Sequence, residues 1–183
     1  ARWRNKCVVV PLGLARLCAS VDGTRADSAV ILPWRGGLRL LAIGRMTYYK
    51  NFATLVQAVA GQPGLELSIV GDGELFTQLQ GQVQHLCGNT PANIYLLGNV
   101  SDAHKQALLA SCELFCLPSN ERTEAFGMVL LEAMRQSKPC VVCQLPGSGM
   151  PWLVESAGAG WAHLPCDDPL AWRQFLLSLR GKT

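Results

Sequence analysis

The amino-acid sequence predicts an α/β fold, a doubly wound and mostly parallel sheet with helices on both faces. Three observations carry this. Strand-length apolar runs alternate about six times with segments of helical period, the pattern of repeated strand–helix units. The connections between them run two to six residues, short enough for right-handed crossovers. Glycine-rich turns follow the strands, which gathers them at the carboxyl edge of the sheet, where ligands of this architecture bind.

Taken in order, Lys6–Pro11 is a short apolar run after a basic start and reads as a strand closed at Pro11-Leu12-Gly13. From about Leu14 to Gly37 the periodicity is lost, and Asp22-Gly23, Pro33 and Gly36-Gly37 break the chain into a surface connection. Leu38–Ile43 is the next strand, closed by Gly44. Phe52, Leu55, Val56 and Val59 follow at helical spacing, with Asn51 placed to cap. Leu65–Val70 is a strand ending at Gly71-Asp72-Gly73, and Leu75, Leu79, Val83 and Leu86 mark a helix. Asn93–Leu97 is a strand, and Ser101 or Asp102 can cap a helix through Ala110. Cys112–Leu117 and Pro139–Cys143 are strands on either side of a helix starting near Gly127. Leu145–Pro151 reads as a Gly/Pro-rich turn, Gly160–Leu164 as a short strand, and Asp167-Asp168-Pro169 opens a last helix to about Leu179.

Composition narrows the function. At 183 residues and 49% hydrophobic, the chain is one large domain or one half of a two-domain enzyme. The net charge is only +3 and the basic residues are scattered, which speaks against a nucleic-acid partner. Eight cysteines are many, but a core this rich needs no staples. Cys140 and Cys143 formally match C-x-x-C; in a strand they point to opposite faces and neither chelate nor bridge. Buried, reduced thiols imply a reducing compartment such as the cytoplasm. No signal peptide is visible at Ala1, and no apolar run approaches the ~20 residues of a membrane span.

The chemistry concentrates in Arg122–Gln136. There Glu124 and Glu132 stand with seven residues between them, and Phe126-Gly127 opens a helix through Met128. A helix N-terminus attracts phosphate, and carboxylates accept hydrogen bonds from sugar hydroxyls, so the stretch suits a ligand that is part phosphate and part sugar. Arg45 and Lys50 supply two cations just ahead of a helix, able to neutralise a diphosphate. On spacing alone they read more readily as solvated surface residues, since exposed Lys and Arg are the norm. Gly71-Asp72-Gly73 is an incomplete dinucleotide fingerprint, with Phe76 where the third glycine belongs. Glu124 and Glu132 also admit a glycosidase-like acid–base reading. His85, His104 and His163 have no metal-ligand spacing and read as structural or surface residues, and Trp152 and Trp161 read as core or rim packing; neither a metal nor a cofactor is expected.

These pieces, in order, resemble one family. Gly44-Arg45 with Lys50, Val70-Gly71-Asp72-Gly73, Leu97-Gly98-Asn99-Val100, Pro118-Ser119, and Glu124-x-Phe126-Gly127 with Glu132 are similar to the C-terminal domain of retaining family-4 (group 1) glycosyltransferases. The resemblance covers about Cys7 to Leu179, and Pro146–Trp152 resembles a loop and helix start of that family. It implies one Rossmann-like half of a GT-B fold. It also implies that Arg45 and Lys50 hold the donor diphosphate; Gly71, where a glycine lets a ligand approach the backbone, would line the cleft. The Val100 backbone and Lys105 would lie near the nucleobase. Glu124 would bind the transferred sugar, with amides near Phe126, Gly127 and Met128 facing sugar and phosphate, and Glu132 the ribose. Catalysis would rest on Arg45, Lys50 and Glu124. Ala125 stands where the family often has glycine.

The expected activity is metal-independent, retaining hexosyl transfer from a UDP- or GDP-linked sugar to a glycan, lipid-linked or small-molecule acceptor, in polysaccharide biosynthesis. Residues 1–37 would be a crossover strand and connection, and 38–183 the donor-binding domain. The N-terminal acceptor domain is expected to be absent from the chain and to be its partner, carrying any contact with the inner face of the membrane. The competing expectation is a non-catalytic domain of the same fold, kept for nucleotide binding or as an interaction module; a GT-B sugar-nucleotide epimerase matches fewer of these residues.

Overall fold

The computed structural model describes residues 31–88, 93–124 and 127–181. The strand expected at Lys6–Pro11 and most of the following connection lie outside them. So do Ala125 and Phe126. In chain order the elements are β1 (Leu38–Ile43), a 3-10 turn (Tyr48–Lys50), α1 (Phe52–Val59), β2 (Leu65–Val70), α2 (Phe76–Cys87), β3 (Ile94–Gly98) and α3 (Asp102–Ser111). Then come β4 (Leu114–Leu117), α4 (Met128–Arg135), β5 (Cys140–Cys143), α5 (Gly149–Ser156), β6 (Gly160–Leu164) and α6 (Pro169–Ser178).

The six strands form one sheet in the order β3-β2-β1-β4-β5-β6, and every pairing is parallel. The strand order reverses between β1 and β4, so a crevice opens there at the carboxyl edge. Because a strand's side chains alternate between faces, each strand feeds two cores. Leu40, Leu67, Cys116, Val141 and Cys143 pack with Phe52, Leu55, Trp172 and Leu176 of α1 and α6, and α2 adds Leu79. Leu41, Phe115, Leu117, Cys140 and Val142 pack with Leu108, Leu130, Met150 and Val154 of α3, α4 and α5. Cys140 and Cys143 therefore belong to opposite cores, as their spacing in a strand requires.

Local chemistry explains most boundaries. Ser101, rather than Asp102, caps α3 by accepting from His104 N at 3.2 Å. Asp168 caps α6 by accepting from Leu170 N and Ala171 N, both at 3.0 Å, with Pro169 in the first turn, where no amide is needed.

Several elements differ from the sequence reading. The turn expected over Leu145–Pro151 ends at Ser148, which accepts from Met150 N at 3.3 Å and starts α5; Pro151 falls in that helix's first turn and is tolerated. The strand expected from Cys112 begins at Leu114, because Cys112 closes α3. The end of the expected surface connection is not purely surface. Leu32 and Trp34 pack on the second core, and Trp34 Nε1 donates to Ser111 Oγ at 2.9 Å. Trp161 stacks edge-to-face on Phe175 at 5.3 Å, while Trp152 is largely exposed. The loops 44–51 and 118–127 exceed the expected two to six residues. These two follow β1 and β4, the strands that flank the crevice.

Burial pushes the Cys112 thiol up to about 11 and Cys140 to about 12, and raises Cys116 and Cys143 as well. Cys166 is less buried and shifts upward too, first through loss of water. Alkylation at pH 8, mapped by mass spectrometry, is expected to label Cys166 well before those four. Equal labelling of Cys116 and Cys166 in the folded chain would contradict this packing.

Candidate functional site

The crevice is built from backbone first. Gly44 N donates to Val70 O at 3.0 Å, and Met46 N donates to Asp72 O at 2.9 Å, so the turns after β1 and β2 interlock. A Cβ on Gly71 would stand 2.1 Å from Gly44 O, and one on Gly73 would stand 2.6 Å from Met46 O. With φ of +128° and +158°, both positions demand glycine on contact grounds, and Gly71 on backbone grounds as well. The fused turns, with Asn99, Val100 and Lys105, line a pocket of about 560 Å³ that includes Arg45.

Lys50 packs against Gly44 of this wall. It is 8% exposed, and a Cβ on Gly44 would lie 3.2 Å from its Nζ. Its ammonium donates to the Glu124 carboxylate in a nearly buried ion pair. Ser119, fully buried, donates its hydroxyl to Glu124 Oε2 at 3.4 Å, and Ser148 Oγ donates to Glu124 O at 3.1 Å. The loop after β4 is thereby tied to the loop after β1 and to the start of α5.

That loop ends at Gly127, with φ 66° and ψ 62° at the start of α4. The left-handed entry favours glycine, and a Cβ there would also press on Leu130 Cδ1 at 2.9 Å and Leu117 Cδ2 at 3.1 Å. Amides at such a helix start lack intrahelical acceptors and carry the positive end of the dipole. Met128, the first helical residue, is exposed.

One turn on, Glu132 Oε2 lies 3.0 Å from Lys105 Nζ. The ammonium approaches off the hydrogen-bonding direction, and that oxygen is shut off from solvent without a hydrogen bond. Lys105 also lies 3.8 Å from Asp102 Oδ1, so a pocket-lining lysine joins α3 to α4.

The sequence-predicted residues thus fall into three groups. Gly71, Val100, Lys105 and Arg45 line one pocket. Lys50 packs against Gly44 of its wall and engages Glu124, whose loop leads to Gly127 and Met128. Glu132 joins through Lys105. Phe126 lies outside the described residues. Each glutamate engages a lysine, which gives the glycosidase reading no paired carboxylates. Arg45 departs from the expected paired cations: its side chain is 74% exposed, and Nε lies 3.7 Å from Glu74 Oε2, a contact that holds it weakly.

Sequence reasoning missed the residues that tie the loops together. Asn51 occupies the N-cap position of α1 at φ 53°, but its side chain does not cap. Its Nδ2 donates instead to Cys166 O at 2.8 Å and to Asp167 Oδ1 at 3.0 Å. Asn120 Nδ2 donates to the same Asp167 oxygen at 3.1 Å, and Asn120 N donates to Tyr49 O at 3.0 Å. Nothing in the spacing of Asp167 pointed here, because it comes from the loop after β6. Among the described residues no helix is long and apolar enough to cross a membrane.

Comparison with known proteins fits this geometry. A family model described as Glycosyl transferases group 1 matches residues 30–173. The chain is 30% identical over 169 residues to the O-antigen chain mannosyltransferase C of Escherichia coli, covering 91% of this chain and 43% of that protein. It is 32% identical over 179 residues to the D-rhamnosyltransferase WbpZ of Pseudomonas aeruginosa, covering 96% of this chain and 44% of that one. Its fold is similar to the crystal structure of Anabaena Alr3699/HepE in complex with UDP-glucose, with a TM-score of 0.66 at 26% identity, over 78% of this chain and 39% of the other. The chain therefore spans less than half the length of each. A sheet that reverses between β1 and β4, with glycine turns and lysine–glutamate pairs along its carboxyl edge, is what the matched region builds, and the chain belongs to the group 1 glycosyltransferases.

Proposed function

We propose that this chain is the donor-binding half of a retaining, metal-independent hexosyltransferase, and that its crevice holds a nucleoside-diphosphate sugar. The observation that carries this reading is the Lys50 ammonium, fixed by Glu124 against the glycine turn of β1, on the loop edge where α4 begins. A diphosphate placed there meets a preset cation and helix amides whose charge needs no rearrangement as the leaving group forms. Arg45 would swing from Glu74 to close over it. Glu132 would accept from the ribose hydroxyls while Lys105 balances its charge, and the Val100 backbone would face the base. Glu124 would accept from hydroxyls of the transferred sugar with the oxygen that Lys50 leaves available.

In the reaction, the bond from the anomeric carbon to the diphosphate oxygen breaks and the acceptor oxygen bonds to that carbon on the same face. The leaving phosphate oxygen takes the acceptor's proton. The relatives' names, a mannosyltransferase and a rhamnosyltransferase, support a hexose or deoxyhexose donor, and the UDP-glucose complex of the fold neighbour supports a nucleotide carrier. The carrier is UDP or GDP. The acceptor site belongs to a separate N-terminal domain. Sugar transfer would occur at the cytoplasmic side, in polysaccharide assembly.

Calorimetry of the chain with UDP, GDP and ADP at millimolar concentration is expected to show binding of at least one; no heat with any of them would overturn the donor-site reading. Lys50→Met is expected to weaken that binding about tenfold or more, equivalent to ~1.4 kcal/mol, and Glu132→Ala about fivefold. Wild-type affinity in Glu132→Ala would remove its ribose role. With the complete enzyme, proton NMR of the product should show the anomeric configuration of the donor, and inversion would exclude a retaining mechanism.

A further inference from the structure

We propose that Asp167 is a positioning residue for the anion site, holding the Lys50 loop and the Glu124 loop in register through a single carboxylate oxygen. The proposal rests on the donor-site reading above. Lys50 and Glu124 come from loops of different strands, and their ion pair aligns only if those loops keep a fixed spacing. The residue after Lys50 is Asn51 at φ 53°, a left-handed conformation that asparagine enters more readily than other non-glycine residues and that contacts of its side chain can hold. Three hydrogen bonds do so here. Thr54 Oγ1 donates to Asn51 Oδ1 at 2.9 Å, while Asn51 Nδ2 reaches Cys166 O and Asp167 Oδ1. From the other loop, Asn120, next to the Ser119 that donates to Glu124, sends its own Nδ2 to the same Asp167 oxygen and its backbone N–H to Tyr49 O.

Asp167 thus reaches in from the loop after β6 and joins residues adjacent to both members of the pair. β5 separates β6 from β4 in the sheet, so no strand pairing makes this link. The residue type matters. An ionised carboxylate only accepts, so both amides can donate to one oxygen, and charge-assisted bonds are about twice as strong as neutral ones. Asparagine keeps an acceptor oxygen there without the charge; alanine keeps neither. The pocket beside Arg45 is lined by other residues, so the influence of Asp167 on a bound anion would pass through the two loops.

The test uses the whole chain and two readouts: nucleoside-diphosphate affinity by calorimetry, and hydrogen exchange of the Asn120 amide by NMR without nucleotide. Asp167→Ala is expected to weaken binding about fivefold and speed Asn120 exchange, while Asp167→Asn restores most of both. Wild-type affinity and unchanged exchange in Asp167→Ala would overturn the proposal. Tighter binding in Asp167→Asn would overturn it as well, since charge repulsion of the ligand would then be the dominant effect. Should Asp167→Ala fail to fold, Asn120→Ala removes one arm alone, and wild-type binding by that variant would refute the tie. If the wild-type chain binds no nucleotide, the donor-site reading falls, and the exchange arm still decides whether Asp167 couples the loops.

Discussion

The buried pairing of Lys50 with Glu124 is the constraint on which the site depends. Two opposite charges withdrawn from water incur a desolvation penalty of several kcal/mol each, and only close, well-aligned contact offsets it. Both side chains are nearly enclosed, so neither loop can move away without leaving a charge buried alone. The pair therefore acts as a clasp across β1 and β4, the two neighbouring strands at which the sheet order turns. Ser119 strengthens the acceptor side, and the Gly44 backbone closes over the ammonium.

The remainder of the molecule supplies a rigid frame for that clasp. Helices α1, α2 and α6 cover one face of the sheet and α3, α4 and α5 the other, so the carboxyl ends of the strands are held from both sides. The interlocked glycine turns after β1 and β2 leave backbone, rather than side chain, along the pocket wall, which lets a ligand approach closely. Held and unheld charge then divide the work. Lys50 and the α4 amides are fixed in advance, whereas Arg45, exposed and weakly paired with Glu74, is free of comparable restraint. In the proposed donor site, preorganised charge would lower the reorganisation needed when a leaving group develops, and the exposed Arg45 would leave room for entry and exit.

The second lysine–glutamate pair has a different character. Lys105 and Glu132 are about a quarter exposed, and Lys105 also lies near Asp102. This pair joins α3 to α4, with Lys105 lining the pocket and Glu132 Oε2 closed off from solvent. The same residue types thus make a nearly enclosed clasp in one place and a somewhat more exposed link between two helices in the other.

Much of the fold was legible in the sequence because apolar runs of strand length, broken by glycine turns, admit few other arrangements. β1, β2 and β6 begin and end where those runs do. Gly127 and the helix from Met128 were legible for the same reason: the apolar period starts there. Spacing also separated Cys140 from Cys143, since alternation along a strand is local. What local pattern could not show is which distant groups meet. Asn51 reads as a cap, yet its amide goes to Cys166 and Asp167. Trp34 reads as connection, yet it bonds Ser111. Gly and Pro hid helix α5 from the periodicity, and only the resemblance over Pro146–Trp152 pointed to its start; the helix buries Met150, Leu153 and Val154. The sequence by itself determined the order of strands and helices along the chain, because that follows from short-range periodicity; the residues of the crevice were legible through their turn glycines, a helix start and their resemblance to a family. Only the tertiary structure decided that Lys50 would be buried against Glu124 while Arg45 stayed in water, because desolvation depends on what the rest of the chain brings alongside.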